Sequence, residues 1–368
     1  MKRELNLTVK SSLPTQEAMK NELRQCALNM GLQTDESGYF ARVEDNVFPD
    51  AVEGIAEGGR FRQMFMNGDG GELKGDKAHA KAVHSSSMLA YNFFYWVSPQ
   101  SPLRYKSLFD GETTYDKIYF EVKMRTLKSS RRPANMDILL VSDDCRRVWC
   151  IESKFTEPLA DTGGANRDAY ADADNYYAIP FRDDLTALNR LIRERPKVWC
   201  EGIAQNLRHL TAISNLRYDA DALAWFKANN PCIGNEVLEQ LTDKTEWRFS
   251  NLLYGSDLPS RLDVVFTYVG EWSSFRIAHR QDEYELLLDG LYSSLPKELW
   301  ELYRPYMVYY DRLLSNVYDQ VAVSDAVRLF FRRVKRAANG VKNGVVLAVL
   351  VENMLFLQSS LGSFCFSL

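Results

Sequence analysis

The sequence predicts an α/β fold in which helices cover both faces of a central sheet. Two apolar runs, 136–141 and 148–155, are joined by turn-forming residues at 142–144, which indicates a β-hairpin. Both runs are apolar throughout, as is typical of central strands that are covered on each side. A further strand pattern lies at 117–126 and another at 261–269, and helical patterns precede and follow the hairpin. The predicted order is therefore helix, three strands, helix, strand.

The N-terminal part is predicted to combine one amphipathic helix with loops. Residues 15–32 carry an apolar stripe at helical spacing, and residues 33–75 are rich in glycine and acids, which favours turns. A long helix is then expected over Ala78–Val97. It contains His84 and three consecutive serines at 85–87.

The stretch 117–126 alternates apolar and polar residues, which predicts a half-buried strand and the first strand of the core. Its polar face carries Glu121, Lys123 and Arg125. We expect Glu121 to pair with Lys123 or Arg125 on neighbouring strands or on a solvated face.

The composition is that of a soluble globular protein with one large domain or two ordinary ones. The chain has 368 residues, of which 46% are hydrophobic and 26% charged. The net charge of −4 gives no overall basic signal, but residues 117–132 hold six basic side chains against one glutamate. This local excess favours contact with phosphates, and a solvated loop is the alternative.

The cysteines and the chain ends indicate a cytoplasmic protein. The six cysteines show no C-x-x-C spacing, which favours reduced thiols over a disulfide framework or a zinc site. The N-terminal residues MKRELNLTVK contain no apolar signal core. The apolar stretch 345–357 is interrupted by Glu352 and Asn353, so no membrane span is expected there.

Three charged residues interrupt the predicted hairpin. Asp137 lies early in its first strand, and Glu152 and Lys154 lie late in its second. Because the strands run in opposite directions, all three would meet at one end of the sheet. Two adjacent carboxylates repel each other unless a cation neutralises them, and Mg²⁺ suits carboxylates together with waters and phosphate oxygens. The group therefore predicts metal-assisted phosphodiester hydrolysis.

The spacing D-x14-E-x-K on a β-hairpin resembles the PD-(D/E)XK nuclease superfamily, which has the restriction-endonuclease-like fold. By this resemblance Asp137 and Glu152 are metal ligands, the Ser153 carbonyl is a further ligand and Lys154 is the catalytic lysine. The implied cofactor is Mg²⁺, with Mn²⁺ as an alternative. The sequence departs from the pattern at Met136, where the superfamily often has proline.

The segment GGELKG…AVHSSSMLAYNFF also resembles a bacterial restriction-endonuclease-related branch of this superfamily. The resemblance makes Glu72 the candidate upstream acid of the metal site, with Glu121 as its competitor and a solvated loop glutamate as the alternative. Because serine hydroxyls can reach phosphate oxygens, Ser85 and Ser87, together with His84, are candidate substrate contacts. The alternative is close packing of small residues against the sheet, with His84 as an ordinary hydrogen-bonded histidine.

A helix predicted at 197–214 carries the segment AQNLRHL, which resembles the glutamine-bearing helix after E-x-K in several branches of the superfamily. This makes Gln205 a catalytic candidate and Arg208 a substrate contact, whereas the alternative is a solvated polar face. The basic stretch before the hairpin adds Arg131 and Arg132 as candidate substrate contacts.

The resemblance implies an αβββαβ core with a mixed central sheet flanked by helices, plus N-terminal and C-terminal helical additions. The expected divisions are an extension at 1–70, a nuclease-like core at 71–270 with an excursion at about 156–195, and a C-terminal helical region at 271–368. Helices are expected over 282–338.

The expected function is a Mg²⁺-dependent deoxyribonuclease that binds nucleic acid, with a homodimer allowed and no membrane partner. Two other functions stay open. One is a nucleic-acid-binding or interaction protein that does not cleave, and the other is a Mg²⁺-dependent enzyme that acts on nucleotides or another phosphoester.

Overall fold

The computed structural model describes most of the chain between residues 16 and 242 and two strands beyond it. The described stretches are 16–29, 32–106, 112–130, 132–145, 147–154, 167–179, 182–194, 201–242, 263–270 and 305–309.

The described residues form helices and a single sheet. The helices are α1 Gln16–Asn29, α2 Val52–Ile55, α3 Arg62–Asn67, α4 Ser86–Phe94, α5 Arg167–Tyr170, α6 Arg182–Glu194, α7 Glu201–Tyr218, α8 Ala220–Asn229 and α9 Asn235–Thr242. The strands are β1 Leu103–Lys106, β2 Glu112–Met124, β3 Ala134–Ser142, β4 Arg147–Lys154, β5 Asp263–Gly270 and β6 Pro305–Tyr309.

The six strands follow one another in the sheet in chain order. Strands β1 to β4 are antiparallel neighbours, whereas β4, β5 and β6 are parallel neighbours. A parallel connection needs a long crossover, and the chain between β4 and β5 supplies one that contains α5 to α9. The predicted hairpin and the mixed α/β class are therefore confirmed.

Helices cover both faces of the sheet. On one face, the Phe120 ring of β2 stacks on Phe65 of α3 and meets Tyr91 of α4 edge-on. On the other face, Glu152 of β4 meets His209 of α7. Both strands of the hairpin are accordingly buried from 138 to 142 and from 148 to 153, as their continuous apolar pattern predicts.

The strand at 117–126 differs from its prediction on its polar face. β1 precedes it in the chain and pairs with its N-terminal half, which adds an edge strand that was not predicted, because four residues are too few to show an alternating pattern. The polar face of β2 is not solvated. Tyr119 is 8% exposed because α7 and α8 lie against β2, and Glu121 is 5% exposed with its side chain against Gly68, directly after α3.

The C-terminal prediction is wrong at one place. Residues 305–309, PYMVY, were expected to be helical and form β6, and aromatic and β-branched side chains favour a strand there. The remainder of 271–368 lies outside the described residues, so the predicted domain divisions stay predictions. Among the described stretches, no helix is both long and apolar enough for a membrane span.

Candidate active site

The β3–β4 hairpin brings the first two predicted site residues together. The register pairs Ile138 with Ile151, and one further step along both strands brings Asp137 beside Glu152. The backbone N–H of Ser153 donates to Asp137 Oδ2 over 2.6 Å. This bond joins the carboxylate of one strand to the backbone of the next at the end of their ladder.

Ser153 also links this end of the sheet to α4. Its hydroxyl donates to the Ser86 carbonyl over 3.1 Å, and its side chain is fully buried. Ser153 therefore faces α4, whereas Glu152, the preceding residue on the strand, faces α7.

Glu152 and His209 form a buried contact. Glu152 Oε2 lies 3.7 Å from His209 Nε2, and the two side chains are 3% and 2% exposed. The same Nε2 lies 3.2 Å from the Asn135 carbonyl. Because a carbonyl oxygen only accepts, this contact requires the proton on Nε2. His209 thus bridges β3, two residues before Asp137, and β4 at Glu152.

His209 is not among the predicted site residues. It lies four residues after Gln205, so the two residues share one face of a helix, and this spacing could have predicted that His209 lies near the site. The resemblance covered only Gln205 and Arg208 on this helix.

Three of the predicted site residues are not fully described by the structure. Lys154 is the last residue of β4 and pairs with Gly270 of β5, and Gln205 lies in α7, but both side chains lie outside the described part. Arg131 lies outside the described residues altogether.

Glu72 is held by the first turn of α4. Ser87 Oγ donates to Glu72 Oε2 over 2.5 Å, and the imidazole of His79, which is 63% exposed, lies 3.6 Å from Oε1. The Glu72 side chain is nearly buried, so the expectation of a solvated loop glutamate is wrong. Its role as a metal ligand stays a prediction.

The long helix expected over Ala78–Val97 is wrong in its first half. A 3₁₀ turn occupies His79–Lys81, and α4 begins only at Ser86. Ser85 is its N-cap and accepts the Met88 N–H over 3.2 Å. Serine favours this position over a helix interior because its hydroxyl bonds the free N–H groups of the first turn. His84 therefore precedes the helix and shares no helix face with Ser87.

Glu121, the competing acid, lies at the same level of the sheet as Asp137. Phe120 pairs with Ile138 and Val122 with Met136, so residues 121 and 137 lie between those pairs. Glu121 has a positive φ of 52°, which is uncommon for a residue other than glycine. Its side chain lies against Gly68, where an added Cβ would come within 3.0 Å. Strand alternation therefore does not determine the direction of this carboxylate.

The residues at this end of the sheet fit Mg²⁺ by their chemistry. Asp137, Glu152 and the Ser153 carbonyl offer the hard oxygens that Mg²⁺ prefers, and one or two carboxylates suffice when waters and phosphate complete the shell. Within the described stretches, no group of three or more His, Cys, Asp or Glu residues is arranged to hold a metal ion. These residues therefore fit a Mg²⁺ site in which two carboxylates are the protein's charged ligands and waters and phosphate complete the coordination.

A cleft of about 550 Å³ opens between the loop before β3 and the helices α5 and α7. It brings together two of the predicted substrate contacts, Arg132 and Arg208. Tyr170 also lines it, and burial raises the pKa of its phenol, while a hydrogen bond with Thr126 and the charge of Arg208 act in the opposite direction. The other lining residues are Thr126, Leu127, Ser129, Ser130, Pro133, Ala134 and Ala169.

Comparison with models of protein families gives a match. The family model described as "Restriction Endonuclease associating with ARP" matches residues 27–252, which is more than half of the chain and includes every described residue of the candidate site. No curated protein and no solved structure matches the chain.

Proposed function

Because the chain belongs to the family described as "Restriction Endonuclease associating with ARP", we propose that it is a metal-dependent nuclease that hydrolyses phosphodiester bonds in DNA. Membership of a restriction-endonuclease-related family indicates a nuclease-related role. The identity of the metal, of the substrate and of the catalytic residues is part of what we propose. The observation that carries it is the position of Asp137 beside Glu152 at the end of the β3–β4 ladder.

The order of elements supports the proposal. The succession α4, β2, β3, β4, α7 and β5 agrees with an αβββαβ arrangement, to which β1 and β6 add the two edge strands. We propose that these six elements are a restriction-endonuclease-like core, because the predicted acidic residues then fall at the ends of its second and third strands.

In this proposal Asp137, Glu152 and the Ser153 carbonyl hold Mg²⁺. When bound, Mg²⁺ offsets the repulsion of the carboxylates, lowers the pKa of bound water and stabilises negative charge on the phosphate. The Ser153 N–H fixes one oxygen of Asp137, and His209 fixes Glu152 against β3. Lys154, two positions after Glu152, orients the attacking water and assists its deprotonation.

The proposal is tested by cleavage of circular and linear DNA, in single-stranded and double-stranded forms, with Mg²⁺, with Mn²⁺ and with EDTA. Wild type should cut only with a metal ion. Asp137→Asn should abolish cutting, and Lys154→Ala should slow it by roughly 10²–10⁴-fold, the usual contribution of a positioned acid or base. The circular substrate separates endonuclease from exonuclease action.

Asp143→Asn is the matched control. Asp143 is an exposed aspartate in the turn of the same hairpin, and its side chain accepts only the neighbouring Asp144 N–H among the described contacts. This variant should cut like wild type. Cutting that survives Asp137→Asn and Lys154→Ala would contradict the proposed site. DNA binding without cutting under any metal condition would favour the non-cleaving binding protein.

The family description also names an association with ARP. We carry this association to the chain as part of the proposal, together with the homodimer that the sequence allows. Light scattering of the purified chain, alone and mixed with ARP, tests both assemblies by mass.

A further inference from the structure

We propose that the cleft lined by Arg132 and Arg208 is a phosphate subsite, which binds the nucleic-acid backbone a short distance from the bond that is cut. The inference rests on the proposed function, because it concerns the same substrate. The cleft would bind the backbone, whereas the end of the β3–β4 hairpin would cut it.

The charge of the cleft favours an anion. Two guanidinium groups line it, and none of the described residues that line it is acidic. Within the described part of the chain, neither Arg132 nor Arg208 forms an ion pair with a carboxylate. Arginine binds phosphate through two parallel N–H donors, so two arginines in one cleft can hold a phosphodiester, and the described residues of the lining offer no competing acid.

The remaining lining adds a neutral hydrogen-bond donor and a contact within the loop. The hydroxyl of Ser129 can donate to a phosphate oxygen, whereas Ser130 Oγ donates to the Arg132 carbonyl over 2.6 Å and so holds the loop that forms one wall. The Tyr170 phenol lines the cleft as well, and burial raises its pKa, although the hydrogen bond with Thr126 and the charge of Arg208 oppose that shift. Hydroxyl groups and arginines are the usual partners of phosphate oxygens, and they carry no base preference.

The cleft and the candidate metal site share two elements. Ala134, at the start of β3, lines the cleft and lies three residues before Asp137, which is roughly 10 Å along a strand. Arg208 immediately precedes His209, which contacts Glu152. The subsite would therefore contact a phosphate within a few nucleotides of the reacting one.

A backbone subsite has a measurable signature in the salt dependence of binding. Each phosphate contact adds about −0.9 to the slope of log K against log salt for B-form DNA. Arg132→Ala and Arg208→Ala should each make the slope shallower, and the double variant should make it shallower by about 0.9, because the two arginines neutralise one phosphate. The loss should be the same for duplexes of unrelated sequence, because backbone contacts do not specify bases.

The experiment measures fluorescence anisotropy of labelled duplexes in EDTA, so that binding is read without cleavage. Arg42→Ala is the matched control, since Arg42 is an exposed arginine already paired with Asp45 at 2.7 Å, and it should leave the slope unchanged. Arg132→Lys should keep most of the slope because it keeps the charge. Circular dichroism of each variant confirms that it is folded.

The outcomes separate this inference from the proposed function. Shallower slopes in both arginine variants support the subsite even if no condition gives cleavage. Slopes that stay at the wild-type value, or that fall equally in Arg42→Ala, overturn the subsite even if Mg²⁺-dependent cleavage is intact. In a cleaving enzyme, the arginine variants should raise KM and leave kcat close to that of wild type.

Discussion

Glu72 and Glu152 are both buried glutamates, yet their surroundings differ. Glu72 accepts a hydrogen bond from Ser87 in the first turn of α4, close to the positive end of that helix, and lies near the exposed His79. Glu152 lies beside a second carboxylate, Asp137, and against the buried His209. Two neighbouring carboxylates repel each other, and a bound cation offsets that repulsion. Glu72 is held by a neutral hydroxyl, whereas Glu152 shares its end of the sheet with a second acid.

The largest expected effect separates the two glutamates by activity. Glu152→Gln should lower the DNA cleavage rate by more than about 100-fold, because changes to outer-shell partners alone typically cost 10–100-fold. Glu72→Gln should leave the rate close to that of wild type. Initial rates on supercoiled DNA with Mg²⁺ measure both variants. An equal loss in both would support the predicted role of Glu72 as a metal ligand.

The two histidines provide the next contrast. His209→Ala should lower cleavage by roughly 10–100-fold, since it removes the group that holds Glu152 against β3. His209→Gln should restore part of the rate, because its amide can still donate to the Asn135 carbonyl. His79→Ala, which removes the exposed neighbour of Glu72, is the control and should cut like wild type. If His209→Ala loses stability but no activity, the residue is structural.

Ser87→Ala sharpens the comparison through stability. It should lower the free energy of unfolding by about 1–3 kcal/mol, because it leaves a buried carboxylate without its hydroxyl donor. Urea denaturation measures the change, with the exposed Ser37→Ala as the control. Stability equal to that of wild type would mean that the Glu72–Ser87 bond contributes nothing to folding.

The smallest expected effect concerns the N-cap of α4. Ser85→Ala should cost about 1 kcal/mol, because the Met88 N–H loses its acceptor, and Ser85→Asn should restore most of that loss. Thermal denaturation of the two variants reads the difference. A substrate-binding role for Ser85 would instead appear as a raised KM with unchanged stability.

The sequence predicted the part of the fold that depends on short-range patterns. The hairpin followed from two apolar runs and a turn, and its register followed from their lengths, so Asp137 and Glu152 could be predicted to meet. The edge strands could not be predicted in this way. β1 is too short for periodicity to be seen, and β6 lies among leucines at helical spacing.

The prediction of the helix start at α4 failed, and the contact of His209 in α7 was missed, because tertiary contacts decide both. The sequence alone allows Ser85 to lie inside a helix or to cap its N-terminus. Contacts of the folded chain decide between these two positions. The positive φ of Glu121 and the burial of His209 beside Glu152 depend on residues that are distant in sequence. Arg132 and Arg208 line the same cleft because α7 packs against the sheet, and this packing could not be predicted from the sequence.

The most direct test of the central claim is calorimetric titration of Mn²⁺ into wild type, Asp137→Asn, Glu152→Gln and Glu72→Gln. Our account predicts that wild type and Glu72→Gln bind Mn²⁺ with similar affinity and that binding is lost in the other two variants. Mn²⁺ binding that is unchanged in Asp137→Asn and Glu152→Gln would contradict the assignment of the metal site to the end of the β3–β4 hairpin.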